Sequence, residues 1–548
     1  MEKVKLFFKD RERVLKLLKT ALPYLFPILC FVNIAVFLST RSHLMLDSDM
    51  SSELILGKLL AEEGGILSTN WYYSTELRVL NTQLVYKLLF TFTDDFHIVR
   101  YLGSLINSFL YALSAGYMIY QAGLKKYIPY VTGILLLPYS NEYFKMMLYA
   151  SYYAPHLAIS FTFLGMVFAF LKTESKKAKI TYGILMGLLS FVSCLGGLRQ
   201  LCILFVPLFG ASLLILLLKL PQLLKLEKKE LPASSFIRLS IISFASMVIG
   251  VLGYIFNQTV LRSIFKFHYF GGIHFNDFSV RGLMKVIGGF IDLFGLDIGG
   301  GKHYDFITVT SFFLFVFTIY AIISLITRHN KLSTAELITV VFTFVGFVIM
   351  VVIYTFTNFE YTRRYLLPIS IFFIPVLTIY FKNLSFKANK KNKILKKLQL
   401  HRVFKAACPL LFALLMIYNS TLTFNVYDNY RPTRKLNEVG EIILLHDCYE
   451  GYATFWNANV LTELSNGKIE VRTWNSNEPV KELDRYHNWL HVKDFGEDEH
   501  EGKLFLLFTR QEYNETTLKE KLNYDGLVLN TDQHVLFIYD SMEEIFVQ

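Results

Sequence analysis

The sequence predicts an all-α polytopic membrane protein with about eleven transmembrane helices and a C-terminal α/β domain outside the membrane. Of its 548 residues, 53% are hydrophobic and 16% are aromatic. The mean hydropathy of +0.40 is too high for a water-soluble protein of this size. Apolar runs of about 18 or more residues are typical of transmembrane helices. The runs, of which the third and fifth are short, lie at 21–40, 98–120, 127–140, 154–171, 180–195, 201–218, 239–257, 307–327, 335–354, 366–381 and 403–420.

Basic residues concentrate in alternate loops between these runs. The net charge is +11, although the segment 421–548 contains 12 Lys or Arg against 23 Asp or Glu. The positive excess therefore belongs to the membrane part, where it follows the positive-inside rule and does not indicate nucleic-acid binding. We expect a cytoplasmic N-terminus and an extracellular C-terminal domain. The segments that mark the cytoplasmic face are 3–19, 125–126, 172–179, 219–229, 328–331 and 382–402.

The first apolar run is interpreted as a membrane anchor, because it follows a charged stretch and lacks the small-residue site of a cleaved signal peptide. The five cysteines show neither a disulfide framework nor a metal-binding spacing, and only Cys448 lies in the outer domain. An outer domain of more than 120 residues without disulfides is more typical of a bacterial surface than of a eukaryotic lumen. The expected location is therefore a bacterial cell membrane.

The segment 421–548 alternates helical and strand patterns, which is typical of a small α/β domain. Apolar periodicity falls and acidic residues become frequent after residue 421. The segment contains no nucleotide-binding fingerprint. The predicted strands are 451–455, 468–474, 503–509 and 534–539, and the predicted helices are 436–445, 456–464 and 516–522.

The tripeptide Asp47-Ser48-Asp49 directly follows the first apolar run, where the chain leaves the membrane on the outer face. Ionisable groups beside a membrane segment are candidates for function. If a helix begins near Ser48, Asp49 and Glu53 lie four residues apart on one face. Such carboxylates can act as a general base or bind a divalent cation, so Mg²⁺ or Mn²⁺ at Asp47 and Asp49 is the candidate cofactor. The alternative is that Asp49 or Ser48 only caps the helix.

The outer loop 41–97 contains two amphipathic stretches, 50–63 and 75–92, in which apolar residues recur at helical spacing. We expect both helices to lie along the membrane surface. The aromatic patch 70–74 between them suits the membrane interface. The candidate substrate-binding residues of the outer segments are Glu53, Tyr72, Tyr73, Glu76 and Glu142.

This layout resembles the GT-C superfamily, whose members are membrane glycosyltransferases that use polyprenyl-phosphate sugars as donors. The resemblance covers residues 1–420, with a first span, an acidic motif on the outer face, a long outer loop with two amphipathic helices, and many further spans. It implies a GT-C-like transmembrane domain over 1–420, followed by the outer domain 421–548. The segments that carry it are Asp47-Ser48-Asp49 and Arg363-Arg364-Tyr365-Leu366-Leu367-Pro368, and the stretches 53–67 and 70–78 resemble uncharacterised bacterial members.

The resemblance also implies site roles. In the superfamily an acid of the first outer loop acts as the base or orients the acceptor, a role that carries over to Asp49 or Asp47. The common Asp-Glu pair of the family is Asp-Ser-Asp here, so both acids remain candidates.

Four side chains at the outer ends of apolar runs are candidates for binding the donor phosphate. Arg363 and Arg364 lie on the outer face, against the positive-inside trend, and we expect one of them to pair with Glu360. Arg199 follows two glycines between two apolar runs, and an arginine binds phosphate through its planar fork. His156 lies at the mouth of a span, where a structural histidine is the alternative.

The implied reaction transfers a sugar from an undecaprenyl-phosphate-type donor to a cell-envelope glycan or glycolipid, with inversion at the anomeric carbon. The donor lipid, the acceptor glycan and membrane lipids are therefore the expected partners. A polysaccharide polymerase or ligase is the first alternative, which predicts a dominant large outer loop with arginines. A flippase or transporter is the second, which predicts charges in mid-membrane and paired broken spans.

Overall fold

The computed structural model describes residues 20–224, 233–267, 274–295, 306–384, 400–474, 490–491 and 502–547. Within these residues, nine helical stretches are long and apolar enough to cross a membrane, and each coincides with one of the predicted runs. They are Leu22–Leu44, Phe96–Gln121, Ala154–Lys172, Leu201–Leu220, Ser235–Ile264, Val309–Thr327, Thr334–Phe356, Arg363–Asn383 and Ala407–Leu445. The chain is therefore a multi-pass membrane protein.

The other two predicted spans, 127–140 and 180–195, are not confirmed. The first of them contains a helix of only eight residues, Ile128–Leu135, whereas a bilayer core of about 30 Å needs about 20. Pro138 follows shortly after, and the Tyr143 hydroxyl donates to the free carbonyl of Leu135. The second lies in a helix of 19 residues, Lys176–Cys194, whose first turns contain three lysines and shorten its apolar part.

The main helices of the membrane part and its loops are numbered in chain order. They are α1 Leu25–Arg41, α2 Ser48–Glu63, α3 Gln83–Phe90, α4 Phe96–Gln121, α5 Ile128–Leu135, α6 Ala154–Lys172, α7 Lys176–Cys194, α8 Val206–Leu224, α9 Ala233–Phe256, α10 Val280–Asp292, α11 Phe306–Thr327, α12 Thr334–Phe356, α13 Phe373–Asn383 and α14 Leu400–Asn429. The predicted surface helix 50–63 corresponds to α2. Of the second predicted helix, 75–92, only α3 forms.

The ends of these helices meet at two opposite faces. On one face, Lys219 donates to Asn330 at 2.8 Å, and Lys382 forms an ion pair of 2.8 Å with Glu336. The acidic motif lies on the other face, which we call the acidic-motif face. Basic loops that the sequence predicts to be cytoplasmic therefore lie together, and they lie on the face opposite the acidic motif.

Three π-helical stretches interrupt the helices at the acidic-motif face: Phe144–Tyr149 before α6, Leu201–Phe205 before α8 and Asn257–Leu261 after α9. A π-helical turn widens the backbone and is frequent at functional sites. The Asn257 side chain donates to the Leu195 carbonyl at 2.7 Å, which joins the ends of α9 and α7. All three irregular turns thus surround the region of the acidic motif.

The C-terminal part is an α/β domain, as predicted. Its elements are α15 Arg434–Leu445, β3 Glu450–Thr454, α16 Phe455–Leu464, β4 Glu470–Trp474, β6 Leu504–Thr509, α17 Arg510–Glu515, β7 Leu527–Asn530 and β8 His534–Tyr539. The five-stranded sheet has the order β4-β3-β6-β8-β7, in which β3 is parallel to β4 and β6, and β8 is antiparallel to β6 and β7. Strand β7 and helix α17 were not predicted, and the predicted helix 516–522 is only a 3₁₀ turn.

Three features tie this domain to the membrane part. Helix α14 continues without interruption to Asn429, so the chain does not break at residue 420. A small three-stranded sheet joins strand β1, Trp71–Tyr73, to β2, Lys266–Phe267, and β5, Leu490–His491. Helix α16 packs against α2, so the C-terminal domain rests directly on the helix that begins with the acidic motif.

Candidate active site

Helix α2 begins at the acidic motif, and Asp47 is its N-cap. The Asp47 Oδ1 atom accepts a hydrogen bond of 3.0 Å from the Met50 backbone N–H, which satisfies one free donor of the first turn. The Tyr152 hydroxyl donates to the same oxygen at 3.2 Å, and the Lys145 ammonium pairs with Oδ2. The cap is therefore Asp47, rather than Asp49 or Ser48 as the capping alternative assumed. Asp49 is left free for another role.

Asp49 lies in the first turn of α2 and faces Arg364. The Asp49 Oδ2 and Arg364 Nη1 atoms are 3.6 Å apart, and the two side chains are 26% and 34% exposed. Burial, and then the like charge of Asp47, raise the pKa of the Asp49 carboxyl above its ordinary value of 3.8, although Arg364 opposes the shift. A carboxylate with a raised pKa that solvent can still reach is suited to accept a proton.

Arg364 and Arg199 are joined through aromatic rings. The Arg199 guanidinium lies 4.7 Å from the Tyr153 ring centre and 6.0 Å from that of Tyr365. The Arg364 guanidinium lies 5.9 Å from the Tyr365 ring centre. Stacking on aromatic faces stabilises both cations where they are partly removed from water. Two of the four predicted phosphate-binding residues thus lie in one cluster beside Asp49.

A chain of alternating charges extends from α2 towards Arg199. Glu53 Oε1 lies 2.8 Å from Arg78 Nε, Arg78 Nη1 lies 3.7 Å from Glu76 Oε2, and Glu76 Oε1 lies 2.9 Å from Arg199 Nε. Burial raises the pKa of Glu53, and Arg78 opposes that shift. Glu53 and Glu76, which were predicted to bind substrate, are therefore paired with arginines along one wall of the site.

His156 lines a small cavity behind this row of charged side chains, with a volume of about 20 Å³, together with Glu76, Arg78, Arg199 and Gln200. The Gln200 Nε2 atom lies 3.2 Å from both His156 Nδ1 and the His156 carbonyl oxygen. Because the carbonyl can only accept, this nitrogen donates, Nδ1 accepts, and Nε2 carries the proton of a neutral ring. Among the described residues, neither His156 Nε2 nor Gln200 Oε1 has a hydrogen-bond partner, although both are buried.

Arg363 makes a contact that differs from the prediction. Its Nε atom lies 3.2 Å from Asp292 Oδ2, at the end of α10. Glu360 is exposed and forms no ion pair with any described residue. The predicted pairing of Glu360 with one of the two arginines is therefore wrong, since Arg363 pairs with Asp292 and Arg364 with Asp49.

The remaining predicted residues lie in different environments. Tyr73 is buried, and its hydroxyl accepts a hydrogen bond of 2.9 Å from the Ser68 N–H, so it is part of a local core. Tyr72 lies in β1, where the Lys266 ammonium is 4.8 Å from its ring centre. Glu142 is half-buried, two residues before the π-helical stretch that contains Lys145. Tyr72 and Tyr73 thus belong to strand β1, and Glu142 belongs to the segment that leads to Lys145, rather than to the first turn of α2.

Sequence reasoning missed Lys145, Tyr152 and Arg78. Lys145 is a cation in an outer segment, and this was the signal that selected Arg363 and Arg364. Although burial opposes it, the pKa of Lys145 is raised, first by Asp47 and also by Glu142. Tyr152 and Arg78 were not singled out, because Asp47 and Glu53, the acids that they contact most closely, are distant in the chain.

The described residues do not suit a divalent metal ion. Asp47 and Asp49 already face Lys145 and Arg364, and no described group of three or more His, Cys, Asp or Glu side chains could hold a metal. Hard cations such as Mg²⁺ prefer several oxygen ligands without competing cations. No reaction step is therefore assigned to a metal here.

No family model matches the sequence, and no curated protein is similar to it. Solved structures do match the fold. ArnT from Cupriavidus metallidurans, crystallised with undecaprenyl phosphate, superposes with a TM-score of 0.54 at 12% identity over 96% of this chain and 100% of ArnT. Its apo form gives the same score and identity over 94% and 97% of the two chains.

The chain has the GT-C fold. The oligosaccharyltransferase of Archaeoglobus fulgidus is also similar, with a TM-score of 0.45 and 11% identity over 80% of this chain and 64% of its own length. The match to ArnT confirms the GT-C fold inferred from the acidic motif and the layout of spans.

Proposed function

We propose that this protein transfers a sugar from a polyprenyl-phosphate donor to a cell-envelope glycan or glycolipid. The observation that carries the proposal is the partly exposed pair of Asp49 and Arg364, a carboxylate and a guanidinium 3.6 Å apart within a GT-C fold. The ArnT structure contains undecaprenyl phosphate, which supports a lipid of this class as the donor carrier.

The reaction is a single displacement. The acceptor hydroxyl gives its proton to the Asp49 carboxylate while its oxygen bonds to the anomeric carbon of the sugar. The bond from that carbon to the phosphate oxygen breaks, and the lipid phosphate leaves with the electron pair. Arg364 stabilises the charge that develops on the departing phosphate. Attack from the face opposite the phosphate inverts the anomeric centre.

Arg364 couples donor binding to the base. In the free protein its positive charge opposes the rise in the pKa of Asp49. A bound phosphate competes for this guanidinium and adds negative charge near Asp49. Both effects raise the pKa of the carboxyl further and make it a stronger base when the donor is present.

His156 is better suited to a hydroxyl group of the sugar than to the phosphate. Its ring is neutral, and the cavity beside it offers one free donor, Nε2–H, and one free acceptor, Gln200 Oε1. A sugar hydroxyl donates one hydrogen bond and accepts another, so it matches this pair. The charges of Arg78 and Arg199 in the cavity wall are already matched by Glu53 and Glu76.

We further propose that the acidic-motif face is extracellular, because the basic loops lie on the opposite face. The N-terminus is then cytoplasmic and the C-terminal domain extracellular, in a bacterial cell membrane. A donor lipid on the outer leaflet would reach Arg364 from the membrane edge.

The proposal is tested with purified protein, a panel of polyprenyl-phosphate sugars with radiolabelled sugars, and a crude envelope glycan fraction as acceptor. We expect label from at least one donor to appear in the glycan, together with release of polyprenyl phosphate. Transfer only from diphosphate-linked oligosaccharides would favour the polymerase or ligase instead. Movement of these lipids across vesicle membranes without any transfer would favour a flippase.

A further inference from the structure

A buried ion pair joins the C-terminal domain to the membrane part. Arg100, near the start of α4, donates from Nε to Glu463 Oε1 at 2.8 Å and from Nη2 to Glu463 Oε2 at 2.7 Å. Glu463 lies in the last turn of α16. Both side chains are only 1% exposed. This two-pronged contact fixes the plane of the guanidinium.

The same guanidinium holds the first turn of α2. Its Nη2 atom also donates to the Met50 carbonyl at 2.8 Å, and its Nη1 atom donates to the Tyr86 hydroxyl at 2.9 Å. Met50 follows Asp49 in the chain, and its N–H is the one that Asp47 caps. The peptide groups on both sides of Met50 are therefore fixed, one by Asp47 and the other by Arg100.

A second contact joins α16 directly to α2. Asn459 lies one turn before Glu463 in α16, and its Nδ2 atom donates to Ser52 Oγ at 2.6 Å. Ser52 in turn donates to the Ser48 carbonyl at 2.6 Å. The outer domain thus reaches the first turn of α2 at two points.

Attachment of the domain alone does not explain this arrangement. A buried ion pair adds little net stability, because desolvation offsets the attraction, and apolar side chains of similar volume often serve as well. Pairing with Glu463 does orient the Arg100 guanidinium so that its N–H groups also donate to the Met50 carbonyl and the Tyr86 hydroxyl. These hydrogen bonds of Arg100 therefore hold the first turn of α2 in one position.

We propose that Glu463 is a positioning residue for Asp49, so that the C-terminal domain completes the active site. Glu463 orients Arg100, Arg100 fixes the Met50 carbonyl, and the first turn of α2 then keeps Asp49 at its distance from Arg364. This inference rests on the proposed function for the role of Asp49. It differs from that function in assigning a task to the outer domain.

Three variants separate positioning from simple attachment. Glu463→Gln keeps the shape but removes the charge. Arg100→Met combined with Glu463→Leu replaces the pair by apolar groups, which preserves burial. Thr433→Val is the control. It removes a different contact between the C-terminal segment and the membrane part, the 2.8 Å hydrogen bond from Thr433 Oγ1 to the His43 carbonyl.

We expect the double variant to fold and to bind donor with a KM within about twofold of wild type, while kcat falls at least about tenfold, because misplacement of a catalytic group acts on turnover. The acid limb of its pH profile should shift, since the surroundings of Asp49 change. Glu463→Gln should show a smaller loss of kcat in the same direction, and Thr433→Val should keep the wild-type kcat.

Hydrogen exchange provides a readout that does not depend on sugar transfer. Backbone amides at 51–56 should exchange faster in the double variant and in Glu463→Gln than in Thr433→Val. If wild-type protein transfers sugar but both pair variants keep its kcat, pH profile and exchange rates, the positioning role is overturned. If no donor is used at all, faster exchange at 51–56 still supports the role of Glu463, and unchanged exchange rejects it.

Discussion

At the scale of single residues, the site depends on how charges are shared between side chains. Asp47 and Asp49 are two residues apart in one motif, yet they have different partners. Asp47 caps the helix and also contacts Lys145 and Tyr152. Among the described residues, Asp49 forms an ion pair with Arg364 alone. The structure thus favours Asp49 over Asp47 as the base, a choice that the motif alone leaves open.

The pH dependence of the reaction should reflect this arrangement. Since the pKa of Asp49 is raised, the carboxyl is neutral at low pH, and kcat/KM should rise with pH as it ionises. Asp47→Asn keeps a side chain that can cap α2 but removes the like charge. The acid limb of kcat/KM should therefore move to lower pH in this variant. A limb that does not move would contradict the coupling between the two acids.

The arginines should differ in their effects. Arg364→Ala should raise the KM for donor and also lower kcat, with a combined loss of at least about tenfold, because a charge-assisted hydrogen bond contributes about 1.5–3 kcal/mol. Arg364→Lys should recover only part, since lysine lacks the planar fork. Arg363→Ala is the matched neighbour, and its smaller effect is expected because Arg363 pairs with Asp292. The measurement is the initial rate at a series of donor concentrations, which gives KM and kcat. Equal losses of kcat/KM in Arg364→Ala and Arg363→Ala would contradict this ranking.

The candidate residues could be predicted from their positions in the sequence, but most of their pairing partners could not. An acid after the first span and arginines on the outer face are visible in the sequence, and the structure brings Asp49 and Arg364 together. The pairing of Arg363 with Asp292 could not be predicted, because it depends on how α10 packs against the turn 363–366. For the same reason, the nearest acid in sequence, Glu360, was the wrong choice.

At the scale of elements, α2 is held on several sides. Its N-terminus is capped by Asp47, it packs against α3 and α16, and Arg100 fixes its first turn. Periodicity predicted α2 because its apolar spacing is local. The segment 75–82 was predicted as helix but is not one, because Glu76 and Arg78 are used in the charge chain instead. The π-helical turns have no sequence signal of their own.

Close packing of α2 against α3 gives a test at this scale. A Cβ atom added at Gly57 would lie 2.5 Å from Tyr86 Cβ, which requires one helix to move. Gly57→Ala should therefore destabilise the protein by about 1–3 kcal/mol and lower its thermal midpoint in detergent. Gly183→Ala in α7 is the control, because nothing lies within 4 Å of its Cβ position, and it should be neutral or stabilising by up to about 1 kcal/mol. Equal midpoints for both variants would contradict the packing of α2.

At the scale of the whole molecule, hydropathy predicted most of the membrane helices. A segment in lipid must pair its own backbone N–H and C=O groups in hydrogen bonds and present apolar side chains to the lipid. Hydropathy failed at 127–140, where Pro138 and the short helix α5 break the run. The outer domain was predicted as separate, yet α14 continues into it and α16 packs on α2. Such contacts between distant segments leave no local pattern.

The orientation in the membrane is testable with two cysteine probes in a variant that lacks the native cysteines. Native Cys448 is buried, so it is a poor probe. Glu543 and Lys331 are both exposed and lie on the C-terminal domain and the basic face, respectively. A membrane-impermeant maleimide should label Glu543→Cys in intact cells, whereas Lys331→Cys should react only after lysis. The reverse pattern would contradict the proposed extracellular site.

The most direct test of the proposed mechanism compares wild-type protein with Asp49→Asn at saturating donor and acceptor. The substitution keeps the size and polarity of the side chain but removes the base. We predict that donor binding is retained while turnover falls by at least about a hundredfold, the lower range for loss of a general base. Near-normal turnover in Asp49→Asn, with normal expression and with Asp47→Asn equally active, would show that neither acid of the motif is the base.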